Sequence, residues 1–136
     1  MSNLSFSGGG AGGTEIVTGG YFYGAVALAV DTPFFVADRS YTVVSITLRV
    51  EVAGTDASAV TCQIRKAASG TAVASGTVLH SGTGNLKGTA ATNQVLTLST
   101  TPSDLYVASG NALGFDLTGV STAAIGCVTV TMIAGG

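Results

Sequence analysis

The side chains best suited to catalysis are few and lie far apart in this sequence. It contains one histidine, His80, and two cysteines, Cys62 and Cys127. A nucleophilic cysteine needs a base beside it, but His80 lies in a Gly/Ser-rich loop, where we interpret it as a solvated residue. We expect both cysteines to be reduced and mostly buried. A disulfide between them is the alternative if their strands are neighbours. One histidine and two cysteines cannot supply the usual four-ligand zinc site.

The carboxylates and serines form no recognisable catalytic pattern either. The aspartates are scattered singly, so neither a glycosidase-like carboxylate pair nor a calcium-binding loop is indicated. Serine is abundant, but the sequence has no GxSxG motif. The glycine run at 8–13 lacks the GxxxxGK[ST] spacing of a phosphate-binding loop. We therefore predict a protein that is not an enzyme, with no catalytic residue, no metal site and no cofactor.

The elements that would position any site follow a period of two. In the stretch 41–52, the pattern predicts a half-buried strand. The face predicted to be buried there carries Thr42, Val44, Ile46, Leu48, Val50 and Val52. Similar alternation predicts that Val60, Cys62 and Ile64 point inward, as do Leu113, Phe115 and Leu117, and Val128, Val130 and Met132.

Gly, Ser, Asn and Asp clusters separate about seven or eight such short strands, and no stretch has convincing helical periodicity. The stretch Ala25–Val30 suits either state, and its valines favour a strand. The sequence thus predicts an all-β fold, a single antiparallel β-sandwich that is jelly-roll-like. We place this domain at residues 21–136, after a flexible, Gly/Ser-rich N-terminal arm at residues 1–20.

The charge content excludes several functions. Of the 136 residues only 9% are charged, against about 25% in a typical soluble domain. With five Lys and Arg and a formal net charge of −2, we expect no electrostatic binding to nucleic acid or to an anionic membrane. The uncharged stretches contain glycines or alternate like strands, so no membrane span is predicted. The N-terminus shows no signal-peptide pattern. The weakly charged surface is either covered by hydroxyls or hidden against other subunits.

Several residues are candidates for contact with a capsid or with other subunits. In the arm, Leu4 and Phe6 are the apolar side chains suited to lie along a neighbour. The cluster Tyr21–Tyr23 either closes one end of the core or anchors a partner. Arg49 and Glu51 share the outward face of their strand, where they pair with another subunit or stay solvated. Near the C-terminus, the uncharged strand face that carries Thr129 and Thr131 is a candidate for contact with another chain. The full candidate set is Leu4, Phe6, Tyr21, Phe22, Tyr23, Arg49, Glu51, Thr129 and Thr131.

Three stretches carry a resemblance to a known group of proteins: Tyr41–Leu79, Asn85–Thr100 and Ser103–Gly119. Their strand pattern and short phrases such as Leu86-Lys87-Gly88 resemble small β-sandwich virion proteins of tailed bacteriophages. These are decoration (cement) proteins of the head and related head-fibre domains. The resemblance implies a homotrimer on the outer capsid surface of the virion, held to the major capsid protein by sheet surfaces and extended arms. It defines no binding residue.

A carbohydrate- or host-receptor-binding module is the alternative, with a host glycan as partner. Sugar recognition favours aromatic platforms, and this chain offers four tyrosines but no tryptophan. A trimeric jelly-roll signalling domain is a third interpretation, which the missing signal peptide disfavours.

Overall fold

The computed structural model describes residues 14–23, 31–120 and 122–135, and it consists of two antiparallel sheets packed face to face. A 3-10 turn (Val73–Ser75) and a four-residue helix α1 (Pro102–Leu105) interrupt the strands. No helix in these ranges is long and apolar enough to cross a membrane. The strands are β1 (Glu15–Tyr23), β2 (Thr32–Val36), β3 (Tyr41–Val52), β4 (Thr61–Ala67), β5 (Thr77–Val78), β6 (Gly84–Asn85), β7 (Thr92–Val95), β8 (Tyr106–Val107), β9 (Ala112–Thr118) and β10 (Ile125–Ala134).

The strand order confirms the predicted all-β sandwich. Sheet A has the order β1-β10-β3-β7, with β8 also paired to β3. Sheet B has the order β2-β9-β4-β5, with β6 also paired to β4. The described residues form ten strands, where seven or eight were expected. Most of β1 lies in the predicted arm, and β6 has only two residues, which give no alternation that sequence analysis can detect.

The core lies between the two inner faces. Leu113, Phe115 and Leu117 of β9 face β10 residues such as Val128 and Val130, and all of them are buried, as the alternation predicts. The Phe115 ring contacts other aromatic rings at centroid distances of 6.0 Å to Phe22 and 5.2 Å to Phe34. Burying each large apolar side chain contributes roughly 1.5–3 kcal/mol, so this interior is the main source of stability.

A β-bulge in β3 makes part of the predicted inward face wrong. Thr131 of β10 pairs with Ser45 and the next residue, Met132, pairs with Val43, so Val44 has no partner on β10. An extra residue reverses the alternation beyond it. Tyr41 and Val43 are therefore buried, whereas Val44 is exposed and Thr42 only half-buried. A second register shift, which leaves Glu51 without a partner on β10, likewise leaves Val52 exposed, contrary to the prediction.

Strand β1 extends into the region predicted as an arm. The predicted boundary between residues 20 and 21 falls inside β1, whose residues Glu15–Gly20 pair with Val128–Ile133 of β10. The glycines that suggested a linker are required by packing, because a Cβ on Gly20 would lie 2.7 Å from Cβ of Phe34. Arm residues 1–13, with Leu4 and Phe6, lie outside the described residues, as does the strand predicted at 25–30.

His80 is buried, contrary to the solvated role expected for it. Only 4% of its surface is exposed, and the Ile64 N–H donates a hydrogen bond of 2.9 Å to its Nε2. Nδ1 then carries the proton and faces the Ser81 carbonyl oxygen at 3.2 Å. His80 is buried because an isolated β-bridge to Leu98 holds this loop against the sandwich.

This geometry predicts acid sensitivity. Burial lowers the pKa of His80, so as pH falls the unfolded chain binds a proton before the folded protein does. The contribution of the neutral ring is complete above the ordinary pKa of 6.5 and is lost as pH falls below that value. We expect His80→Gln to be less stable by about 1–3 kcal/mol at neutral pH, yet to lose less on acidification. Urea unfolding of both proteins between about pH 7 and about pH 5 measures this. Equal slopes would contradict it.

Candidate contact face

The exposed apolar side chains are concentrated on one sheet. Among the described residues, nine large apolar side chains are exposed, and eight of them belong to strands of sheet A. The inner face of this sheet packs against sheet B, so these side chains point to the outer face. The ninth, Val36, lies on β2 of sheet B. The eight on sheet A are Val17, Tyr21, Tyr23, Val44, Val52, Val95, Tyr106 and Ile125.

The strand register arranges this surface, called the contact face below, in rows across the sheet. Residues directly opposite each other on antiparallel strands have side chains on the same side and in contact range. The rows are Tyr21–Cys127–Arg49–Asn93, Gly19–Thr129–Thr47–Val95 and Val17–Thr131–Ser45, followed at the end of the sheet by Tyr23–Ile125–Val52. Apolar and aromatic groups thus lie at both sides of the face, with a band of hydroxyls between them.

The structure brings six of the predicted contact residues together on this face. Tyr21 and Tyr23 are 80% and 72% exposed, and Thr129 is exposed beside half-buried Thr131. Arg49 and Glu51 lie on the same side of β3.

Phe22 does not belong to this surface. It occupies the inward position between Tyr21 and Tyr23, because successive side chains of a strand point to opposite faces. Its ring is buried against Phe115. The interpretation in which part of this cluster closes the core therefore applies to Phe22 alone.

The two charges at the centre of the contact face are paired with each other. Arg49 Nε donates a hydrogen bond to Glu51 Oε1 at 3.1 Å, and Nη1 donates to Asn93 Oδ1 at 3.2 Å. Exposed pairs of this kind contribute about 0–1 kcal/mol to stability. Their effect here is to cancel the net charge at the centre of the face. A further carboxylate, that of Glu15, lies at the end of the face next to Val17.

The outer face of sheet B is different in character. Arg65 Nε donates to Asp116 Oδ2 at 2.7 Å, while Nη1 bonds the Gly76 carbonyl at 2.7 Å. Val73 packs over Gly114, because a Cβ added to Gly114 would lie 3.0 Å from Cγ1 of Val73. An open groove of about 500 Å³ beside β2 is lined mainly by alanine, glycine and other small residues. It has one charged residue, Asp31, whose carboxylate accepts a hydrogen bond from Leu117 N. The groove therefore lacks the convergent polar groups of a substrate site.

The described residues contain no cluster of three His, Cys, Asp or Glu side chains able to hold a metal ion. Both cysteines are free, with Cys62 on sheet B and Cys127 on sheet A. Burial, and secondarily the charge of Asp116, raises the pKa of the Cys62 thiol to about 12. At neutral pH that thiol is protonated and therefore a poor nucleophile.

Sequence analysis missed Val17 and Val95 as surface contacts. Val17 was assigned to the arm because residues 1–20 have a linker-like composition. It nevertheless lies on the same face of β1 as Tyr21 and Tyr23. Val95 ends a strand of only four residues. Alternation followed back from Tyr23 to Glu15 was the signal that would have found Val17.

Comparison with known proteins gives one informative similarity. No protein family model matches the sequence, and no curated protein matches it. Among solved structures, the chain is similar to one chain of the cyanophage Pam1 capsid asymmetric unit, with a TM-score of 0.52. This chain shares its fold with that capsid chain. The similarity covers 98% of this chain and 94% of that chain, at 19% sequence identity. At this identity it establishes a shared fold, in agreement with the phage resemblance of the sequence.

The Cys62 thiol is predicted to be unreactive in the folded protein. In a Cys127→Ser variant, we expect the remaining Cys62 to stay unreactive toward a thiol reagent at about pH 8, because it is buried and protonated. Full reaction should follow on unfolding in guanidinium chloride. The reciprocal Cys62→Ser variant is the matched control. Rapid labelling of folded Cys127→Ser protein would show that Cys62 is accessible and contradict the packing described here.

Proposed function

We propose that this protein is a structural virion protein that decorates and stabilises the outer surface of a phage capsid. The observation that carries the proposal is the similarity to a chain of a capsid asymmetric unit over nearly the whole of both chains. The similarity therefore extends over nearly all of both chains and is not confined to a part of either. The proposed location is the capsid exterior of the virion.

The surface of the described residues supports a role in contact and not in chemistry. The most distinctive feature is a broad outer sheet face with exposed tyrosines, valines and threonines, whose one central ion pair is internally satisfied. Aromatic residues are enriched, and most charged residues depleted, in the centres of protein interfaces. A rigid sandwich with such a face is suited to bind other protein subunits.

Attachment in this proposal uses a trimer and the N-terminal arm. Closed point-group symmetry is the usual form of homo-oligomers, and it hides part of a weakly charged surface. Residues 1–13, which include Leu4 and Phe6, contact the major capsid protein.

One observation favours the alternative of a host-glycan- or receptor-binding module. Tyr21 and Tyr23 are highly exposed, two residues apart and on the same face, which is an arrangement able to present two aromatic rings to a ligand. Glycan binding that is abolished by Tyr21→Ala and Tyr23→Ala would support this alternative.

Mass spectrometry of purified particles tests the proposed function directly. We expect particles produced by the genome that encodes this chain to contain it in stoichiometric amounts. Antibodies against the sandwich should bind intact particles, because the proposal places it outside the shell. Absence of the protein from the particles would overturn the virion role. Presence without antibody access would overturn the outer location.

Deletion of residues 2–13 should separate folding from attachment. The truncation stops before Glu15, so β1 and its pairing with β10 are retained and the melting temperature should be unchanged. Binding to particles lacking the protein should weaken at least about tenfold, which corresponds to about 1.4 kcal/mol. A variant with the arm replaced by Gly and Ser at equal length is the matched control for excluded volume. Undiminished binding of the truncated protein in a co-sedimentation titration would remove the arm from the attachment mechanism.

A further inference from the structure

We propose that the contact face is the surface through which copies of this chain meet, with sheet A of each copy turned toward the shared symmetry axis. This deepens the proposed function and rests on it for the existence of an oligomer. The proposal assigns the two kinds of contact to different parts of the chain. The arm contacts the capsid, and the outer face of sheet A contacts the other subunits. Three features of the face identify a second copy as its occupant.

The first feature is continuity. Tyr21 lies opposite Cys127, and Tyr23 lies opposite Ile125, which in turn pairs with Val52. Single exposed apolar residues are ordinary on protein surfaces, whereas a contiguous group marks an interaction site. Because Val36 is the single large exposed apolar residue placed elsewhere in the described part, the asymmetry between the two sheets is strong.

The second feature is size. Strands β1, β10 and β3, spaced about 4.8 Å apart, give a width of about 14 Å, and nine residues at about 3.4 Å give a length of about 30 Å. The four residues of β7 add about 65 Å², so the face measures roughly 500 Å² in projection, and side-chain relief increases its accessible area. Specific interfaces at the small end of the usual range bury about 600 Å² on each partner, so this face supplies most of the area that a contact between two copies needs.

The third feature is self-complementarity. Hydroxyl groups both donate and accept hydrogen bonds, so a row of them can pair with a copy of itself. Thr129 lies opposite Thr47 and Thr131 lies opposite Ser45, which gives two such rows across β3 and β10. The Arg49–Glu51 pair presents both charges side by side, so an identical face brings an opposite charge as readily as a like one. The centre of the face therefore offers no cluster of like charges to a strongly acidic or basic partner.

Two valines provide a matched test. Val17 on sheet A and Val36 on sheet B are 62% and 65% exposed, and each lies on an edge strand of its sheet. We expect Val17→Asp to raise the dissociation constant of the oligomer at least tenfold, because it buries an unpaired carboxylate between copies. Val36→Asp should leave the native mass unchanged. Native mass spectrometry over a dilution series of the full chain measures both variants.

Cys127 supplies a second readout, since it lies in the row between Tyr21 and Arg49. Its reaction with a thiol reagent should be slow in the wild-type oligomer and in Val36→Asp, and fast in Val17→Asp. Equal melting temperatures of the dissociated variants exclude unfolding as the cause. If Val17→Asp disturbs β1, Val95→Asp tests the opposite side of the face on β7.

The outcomes separate this inference from the proposed function. A wild-type protein that is monomeric at all concentrations overturns the inference, as does an oligomer that dissociates in Val36→Asp but not in Val17→Asp. If Val17→Asp keeps its oligomer but is lost from particles, the face binds the shell, which overturns the inference and leaves the virion role intact. An oligomer broken by Val17→Asp, in a protein absent from particles, supports the inference and overturns the virion role.

Discussion

The pairing of β10 with both β1 and β3 is the constraint on which the rest of the structure depends. It fixes Val128, Val130 and Met132 toward the core and leaves Cys127, Thr129 and Thr131 on the opposite side. Because side chains alternate along a strand, burying the first set determines where the second set must lie. The outer face of sheet A is thus a consequence of core formation, and its composition is free to serve contact with other molecules.

Where the sequence alternated without interruption, its prediction was correct, as for Val60, just before β4, and Cys62 and Ile64 within it, which are all buried. It failed at Val44, because a bulge inserts one residue and no local signal announces where the alternation reverses. It failed at Gly19 and Gly20 for a different reason. Composition alone could not distinguish glycines of a linker from glycines that admit a close neighbour, which here is Phe34 packed on Gly20.

The misplacement of His80 shows the same dependence on tertiary contacts. Gly and Ser around it suggested a solvated loop, but the ring accepts a hydrogen bond from Ile64, sixteen positions earlier. A buried polar ring is tolerated when its hydrogen bonds are made. Six of the candidate contact residues lie at outward positions on long strands, and the alternation of such strands is easier to follow in the sequence. Their assembly into one face required the strand order, which the sequence does not encode locally.

The basic residues explain why assembly through this surface would depend little on ionic attraction. All five are engaged within the chain: Arg39 with Asp38, Arg49 with Glu51, Arg65 with Asp116, Lys66 with the carbonyls of Ser103 and Tyr106, and Lys87 with that of Ser58. Cations already paired have less to gain from a polyanion or from an acidic partner. Contacts through this face, as proposed, would then depend on apolar burial and hydroxyl pairing, which salt screens far less than it screens exposed charges. On the proposed particle surface, that independence from salt would preserve the contacts in varied media.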